Sequence, residues 1–424
     1  MDKVLKIDPL LERILDELCA KDLMNTQLVS HQWYIASKRI LSRRPSTFFC
    51  MKILNEKKWK DPGSKFLGVL RDGNKRVSIK CNSSSSMARK FEKFISDNRM
   101  CRPFFSITFG RLDGPLCDEA YHEMEHGFVP RDCPGIVIAG RATISQQRII
   151  YDHTNQHIES PRDMVGAPDE IASILLSRFN SDLNITVTNW NFSESVEPKI
   201  NDPNDPLRAV LVFSEASCCL TKNKRILNFL ARVRHLRDTV HIAGPTRAIF
   251  HLKDPTISET LGHPGLTSIA FSGKNVRAAK FTFQSADDEQ IRRQIMDFKR
   301  SLKFNCDSDD PHVQTFGFIF DHVCSRPVNQ YFWRVQSIFP KVNFLGCTFS
   351  TFLLVNMCLC RYCYGDYPPI YEDDDYEYHE SEEHVREFKN ELSSSAIDST
   401  YIDDFLQFQE VTIFLIHLNS GFGD

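Results

Sequence analysis

The N-terminal segment of this chain concentrates apolar side chains at helical spacing within a short length. Asp8 suits a helix N-cap and Pro9 suits the first helical position, so a helix is predicted to begin there. Its apolar face comprises Leu10, Leu11, Ile14, Leu15 and Leu18. Because so short a segment cannot bury this much apolar surface by itself, the pattern predicts that it packs against a partner.

Two more helices are predicted before residue 47. The Lys21-Asp22 pair opens the second helix, and the third runs through Trp33 to about Leu41. Pro45 fixes the end of the third helix, because the residue before a proline disfavours the helical conformation. The first 47 residues are therefore predicted to be an all-helical unit.

From Phe48 onward the sequence is typical of strands alternating with helices. The predicted strands are 104–110, 135–140, 183–188, 209–213, 239–244, 266–271, 276–283, 315–320, 342–349 and 411–418. Helices are predicted at 86–98, 169–179 and 224–235. The order strand, helix, strand across 209–244 favours two parallel strands in one sheet. The predicted fold class is α+β, with a small all-α unit followed by two β-rich α/β halves.

Charge and cysteine content restrict the partners and the compartment. The 52 basic and 55 acidic residues leave a net charge of -3, which gives no electrostatic footprint for nucleic acid or for an anionic membrane. The N-terminus lacks the apolar core of a signal peptide, and the longest apolar run, 352–359, is too short to span a bilayer. The 14 cysteines are therefore expected to be free thiols in a reducing compartment.

The N-terminal helices resemble the F-box, a three-helix unit that docks on the Skp adaptor of cullin–RING ubiquitin ligases. The leucine-rich first helix, Leu23, Val29 and Trp33 occur in the order and spacing of that motif. The resemblance implies adaptor contacts at Pro9, Leu10, Leu11, Ile14, Leu15, Leu18, Leu23, Val29, Trp33 and Ile40. The alternative is an ordinary helical hairpin that packs on its own domain.

The remainder is similar to a pair of FIST domains. The matching stretches, in order, are 207–213 with Cys218 and Cys219 after it, 242–244, 269–273, 315–320, 339–346 and 414–418. The implied organisation is an F-box at 1–47, an N-terminal FIST domain at 48–262 and a C-terminal FIST domain at 263–424. An acidic stretch at 365–400 is interpreted as an insertion, either a solvated loop or a site for a basic partner or for phosphorylation.

Together the two resemblances imply a non-catalytic substrate receptor of a Skp–cullin–F-box ubiquitin ligase. Such a subunit binds the Skp adaptor and, through it, the cullin and RING subunits, and it needs no cofactor. Its targets would include transcriptional regulators and lysine demethylases, in cytoplasm and nucleus. One alternative is a FIST-type sensor of a small ligand with no ligase role. Another is a thiol enzyme that uses Cys218, Cys324 or the cysteines at 358–363.

Cysteines near the C-terminus form the most metal-like cluster of the sequence. Cys358, Cys360 and Cys363 supply three ligands, whereas zinc takes four, and His379 or His384 could complete the set. The alternative is that these cysteines act as small apolar residues on a buried strand. A further histidine, at 417, lies in an alternating strand and is predicted to be structural and hydrogen-bonded.

Overall fold

The computed structural model describes most of the chain, with gaps. The described residues are 8–53, 65–72, 75–82, 87–110, 133–140, 142–145, 171–177, 182–190, 195–200, 202–214, 223–233, 239–243, 246, 248–252, 266–283, 288–310, 312–321, 329–349 and 411–419. Three helices come first, and a β-rich region of mixed sheets and helices follows. The predicted α+β class is therefore confirmed.

The described helices are α1 (Asp8–Asp16), α2 (Ala20–Thr26), α3 (His31–Arg43), α4 (Met87–Asn98), α5 (Lys224–Arg232), α6 (Asp288–Ser301) and α7 (Asn329–Ile338). Helices α1 to α3 form what we call the helical unit, residues 8–43. Ser30 caps α3, because its side-chain oxygen accepts a hydrogen bond from the backbone N–H of Trp33 at 3.3 Å. The three predicted N-terminal helices are confirmed.

The described strands are β1 (Thr47–Ile53), β2 (Lys65–Asp72), β3 (Lys75–Asn82), β4 (Phe105–Gly110), β5 (Gly135–Ala139), β6 (Ala142–Ser145), β7 (Ile171–Leu176), β8 (Asn184–Asn189), β9 (Leu207–Ser214), β10 (Val240–Ala243), β11 (Ala248–Leu252), β12 (Leu266–Ser272), β13 (Val276–Phe283), β14 (Val313–Asp321), β15 (Asn343–Thr348) and β16 (Val411–Asn419). We call the region that these strands form the β-rich body. Each of the ten strands predicted from sequence coincides with one of them.

Hydrogen bonds join the strands into three sheets. Their orders are β11-β5-β4-β7-β1-β2-β3, then β10-β9-β12-β8, then β13-β16-β14-β15-β6. The pairs β4–β5, β9–β10 and β14–β15 are parallel. Helix α5 lies between β9 and β10 in the chain, so the predicted strand–helix–strand unit with parallel strands is confirmed.

The three sheets share one buried core that extends from Phe48 in β1 to Leu418 in β16. Strand pairing also crosses the predicted division between residues 262 and 263. Strand β12 pairs with β8 and β9 of the preceding half, while β6 of the first half pairs with β15 of the second. In this structure the two predicted halves are therefore joined by shared sheets and by a common core.

One predicted helix is wrong. The stretch 169–179 was expected to be helical, but it contains β7, which lies between β4 and β1. All six residues of β7 are buried, so both faces of the strand contact other parts of the protein. In the sequence, a strand buried on both faces is a continuous apolar run. Hydrophobic periodicity does not distinguish such a run from a buried helix.

Several elements were not predicted. The hairpin of β2 and β3 and the helices α6 and α7 are examples. Helix α6 did carry a detectable pattern, because its buried residues Ile291, Ile295 and Phe298 recur every three or four positions. The acidic stretch 365–400 lies outside the described residues.

Two glycines at the β14–β15 ladder allow a test of this packing. A Cβ at Gly346 would lie 1.9 Å from the carbonyl oxygen of Ile319, whereas one at Gly317 would lie 2.3 Å from the Phe344 ring. We expect Gly346→Ala to reduce the free energy of unfolding more than Gly317→Ala, because a ladder carbonyl has less freedom to move than a ring. Overpacking of this kind costs roughly 1–3 kcal/mol, occasionally more. Urea unfolding under reducing conditions measures both losses, and a larger loss for Gly317→Ala would contradict the expectation.

Candidate protein-docking surface

The helical unit has an apolar core of its own. Leu11, Leu15, Leu23 and Ile40 have no exposed surface, and they pack with Ala20, Ala36 and Leu41 in one cluster. In the chain alone these four side chains lie inside the unit, and their contact with an adaptor stays a prediction. Leu18 and Trp33 are half-buried and pack against the same cluster.

Other predicted contact residues are exposed. Pro9 and Leu10 are exposed, Ile14 is 47% exposed, and Val29 is 63% exposed. Three further apolar side chains nearby in the chain are exposed, although the predicted contact set did not include them: Leu28, Tyr34 and Ile35. We call the set Leu10, Ile14, Leu28, Val29, Tyr34 and Ile35 the apolar surface.

Among the residues whose side chains the structure describes, the exposed large apolar ones concentrate in the helical unit. Apart from Val196, which lies in the β-rich body, all of them belong to the apolar surface. Single exposed apolar residues are common, whereas several on one small unit make that unit the candidate docking surface. The signal that the sequence offered was the high density of apolar residues around positions 28–35.

The turn that carries Leu28 and Val29 is hydrogen-bonded although its side chains face solvent. The N–H groups of Leu28 and Val29 donate to the carbonyls of Asn25 and Thr26, each at 3.1 Å. Thr26 Oγ1 lies 2.8 Å from Ser37 Oγ, which ties the end of α2 to α3. The backbone therefore fixes this turn, and Leu28, at 88% exposure, is held out in water.

Charged pairs connect the other flank of α1 to α3. Glu12 accepts hydrogen bonds from Arg39 at 2.5 Å and from Arg43 at 3.3 Å. On a helix with 3.6 residues per turn, Glu12 and Ile14 lie on opposite sides of the buried Leu11–Leu15 row. The apolar flank of α1 is therefore the one that these ion pairs leave uncovered.

None of the residues predicted as thiol nucleophiles or metal ligands belongs to the described part of the chain. Cys218, Cys219, Cys324, the cysteines at 358–363 and the histidines at 379 and 384 all lie outside it. Among the residues that the structure does describe, no cluster suits a metal ion. Burial raises the pKa of the Cys347 thiol well above its usual value, and burial beside Asp307 raises the pKa of Cys306 to about 11. At neutral pH these two thiols stay protonated, which makes them poor nucleophiles.

The histidine at 417 is structural, as predicted. His417 Nδ1 lies 2.9 Å from Thr315 Oγ1, within hydrogen-bond distance, and the ring stacks on Phe304 with 4.6 Å between centroids. Burial, together with the positive charge of Arg277, lowers the pKa of His417 to about 4.

Comparison with known proteins does not assign the chain to a family. No protein-family model matches it, and no curated protein is significantly similar to it. None of the described helices is both long enough and apolar enough to cross a membrane.

The lowered pKa of His417 predicts a loss of stability in acid. The unfolded chain binds a proton at this residue below about pH 6.5, whereas the folded protein does so only near pH 4. Its contribution to stability is therefore complete above pH 6.5 and is lost as the pH falls towards 4, with a slope of up to about 1.4 kcal/mol per pH unit. We expect His417→Gln to have a shallower decline over this range in urea unfolding experiments. Parallel profiles for the two proteins would show that the lowered pKa is wrong.

Proposed function

We propose that this chain is the substrate-receptor subunit of a Skp–cullin–F-box ubiquitin ligase. In this proposal the helical unit is an F-box that binds the Skp adaptor, and the β-rich body is the FIST pair that binds protein targets. In the order of its domains the chain resembles F-box only protein 22. The observation that carries the proposal is the concentration of exposed apolar side chains on a helical unit whose own core is already filled.

A filled core beneath an exposed apolar surface suits protein docking. Burial of apolar surface contributes ~25 cal/mol per Å² removed from water. Part of this gain is offset by the entropy that is lost when binding orders flexible groups. A turn whose backbone is already fixed loses less entropy on binding, so more of the gain remains. Leu28 and Val29 stand on such a turn, and Tyr34 adds an aromatic anchor of the kind that dominates many interfaces.

The proposed contact set differs from the one expected from sequence. Leu10, Ile14 and Val29 keep their proposed contact role, with Pro9 beside them, and Leu28, Tyr34 and Ile35 are added. The buried leucines and Ile40 act indirectly, because they hold α1 and α3 in the positions that expose the apolar surface. Leu18 and Trp33 expose only part of their side chains and pack against the core of the helical unit.

The proposed chain carries out no bond chemistry. The adaptor would connect it to the cullin and RING subunits, and the β-rich body would hold a target near the charged ubiquitin-conjugating enzyme. Acceleration would then come from the raised effective concentration of target lysines. By resemblance, the targets would include transcriptional regulators and lysine demethylases, in cytoplasm and nucleus.

A double substitution on the apolar surface tests the proposal. We expect Ile14→Asp with Val29→Asp to abolish co-purification with the Skp adaptor, because two carboxylates would lose water at the interface without partners. Both side chains are exposed, so the thermal unfolding of the chain should change little. Leu15→Asp is unsuitable, because it would place a charge in the core of the helical unit.

Val196→Asp is the matched control, since Val196 is also exposed, at 71%, but lies in the β-rich body. This variant should bind the adaptor as the wild type does. The proposal fails if the wild type does not bind the adaptor, or if the double variant binds it with unchanged affinity. A ligand-induced thermal shift in a chain that binds no adaptor would instead favour the small-ligand sensor.

A further inference from the structure

The short segment between α3 and β1 is buried where the helical unit meets the β-rich body. Arg44 is 5% exposed, and neither Ser46 nor Thr47 has exposed surface. A flexible linker between two domains is normally exposed and polar. This segment, residues 44–46, has the opposite character, and we call it the junction.

The Arg44 side chain connects two helices from different parts of the chain. Its guanidinium donates to the carbonyl of Asp16 at the end of α1 and to the carbonyl of Met100 just after α4, each at 2.8 Å. The Asp16 carboxylate lies 3.8 Å from the same guanidinium. Only arginine among the basic side chains offers a planar fork that can reach two acceptors in this way.

The rest of the junction is bonded to two different sheets. Ser177, which follows β7 of the first sheet, donates through Oγ to the Arg44 carbonyl at 2.7 Å and through N–H to Ser46 Oγ at 3.2 Å. Gln314, in β14 of the third sheet, accepts from the Ser46 N–H at 3.0 Å and donates to its carbonyl at 3.4 Å. The junction is therefore held by buried bonds on several sides.

A second connection lies at the start of α2. The Ala20 N–H donates to the carbonyl of Arg99 at 2.9 Å, so the first turn of α2 is bonded to the chain just after α4. The nearby Lys21–Asp97 pair is exposed and 3.4 Å long, and pairs of this kind contribute little. Together with Arg44, the Ala20 bond gives the helical unit two separate attachments to the same region of the body.

We infer that the junction holds the helical unit in one fixed orientation on the β-rich body, with Arg44 as its positioning residue. The consequence for ubiquitin transfer rests on the proposed function. With an adaptor on the helical unit and a target on the body, a fixed junction keeps the separation between them constant. A loose junction would spread the target over a larger volume and lower its effective concentration at the conjugating enzyme.

Hydrogen exchange tests the junction in the full-length chain without any partner. In Arg44→Ala we expect the amides of Ala20, Ser46 and Ser177 to exchange faster by on the order of tenfold or more, because hydrogen bonds to a charged group are among the stronger ones. The amides of Leu23 and Tyr34, which are bonded within the helical unit, should keep the wild-type rate. Unchanged exchange at Ala20, Ser46 and Ser177 would overturn the inference.

Arg39→Ala is the matched control for this experiment. Like Arg44, Arg39 has a carboxylate partner, but Arg39 lies in α3 and its bond to Glu12 stays within the helical unit. Its loss should leave exchange at the junction unchanged. Arg44→Lys should behave as Arg44→Ala does, because an ammonium group cannot match the two-carbonyl geometry of the guanidinium. If Arg44→Ala does not fold, Gln314→Leu removes both bonds to Ser46 and should raise exchange at that amide.

A reconstituted ligase provides the functional readout. We expect Arg44→Ala to bind the Skp adaptor with wild-type affinity but to support target ubiquitination at a rate several-fold lower, while Arg39→Ala leaves both unchanged. Wild-type ubiquitination by Arg44→Ala, despite faster exchange at the junction, would refute the positioning role. If the wild type binds no adaptor, the proposed function fails, and the exchange measurement alone decides whether the junction is fixed.

Discussion

The phenylalanine-rich core shared by the three sheets is the constraint on which the rest of the structure depends. Phe109, Phe213 and Phe320 each come from a different sheet, and the distances between their ring centroids are 6.4, 6.0 and 5.9 Å. Tilted and edge-on rings at these distances attract one another beyond the gain from burial. Each sheet therefore covers apolar side chains of the other two. In addition, strands such as β6 and β12 pair with partners far away in the chain.

The same core determines where the helical unit attaches. The junction runs directly into β1, an inner strand of the first sheet, and Gln314 of the third sheet bonds to Ser46. Buried polar groups need partners, so the backbone groups of Ser46 and Arg44 are met by Ser177 and Gln314. A rearrangement of the sheets would leave these groups unpaired, and the position of the helical unit is therefore coupled to the packing of the body.

Local patterns in the sequence were sufficient for the helices of the N-terminus and for many strands. Asp8, Pro9 and Pro45 mark helix ends through their own backbone preferences, so these boundaries could be predicted without knowledge of the fold. The partners of Arg44 could not, because Met100 lies 56 positions further along the chain. The error at 169–179 has a related cause, since only the neighbouring strands decide whether that apolar run becomes a strand.

At the candidate docking surface, too, the sequence alone could not show which residues have partners within the chain. Ile14 and Leu15 are adjacent and equally apolar, and the sequence pattern assigned both to one partner-facing surface. With 100° between successive residues, the face from Leu10 to Leu15 spans about 140° of α1. Helix α3 packs against the part of that face formed by Leu11 and Leu15 and leaves Leu10 and Ile14 exposed.

An apolar face can be wider than the neighbouring helices are able to cover, as it is on α1. Its centre then serves the fold of the unit, and its margin remains for a second protein. The width of the face is visible in the sequence, but the line between centre and margin is set by where α3 lies. In a short helical unit, an apolar face that is wider than one neighbouring helix can cover is therefore a better indicator of a binding partner than the mere presence of an apolar face.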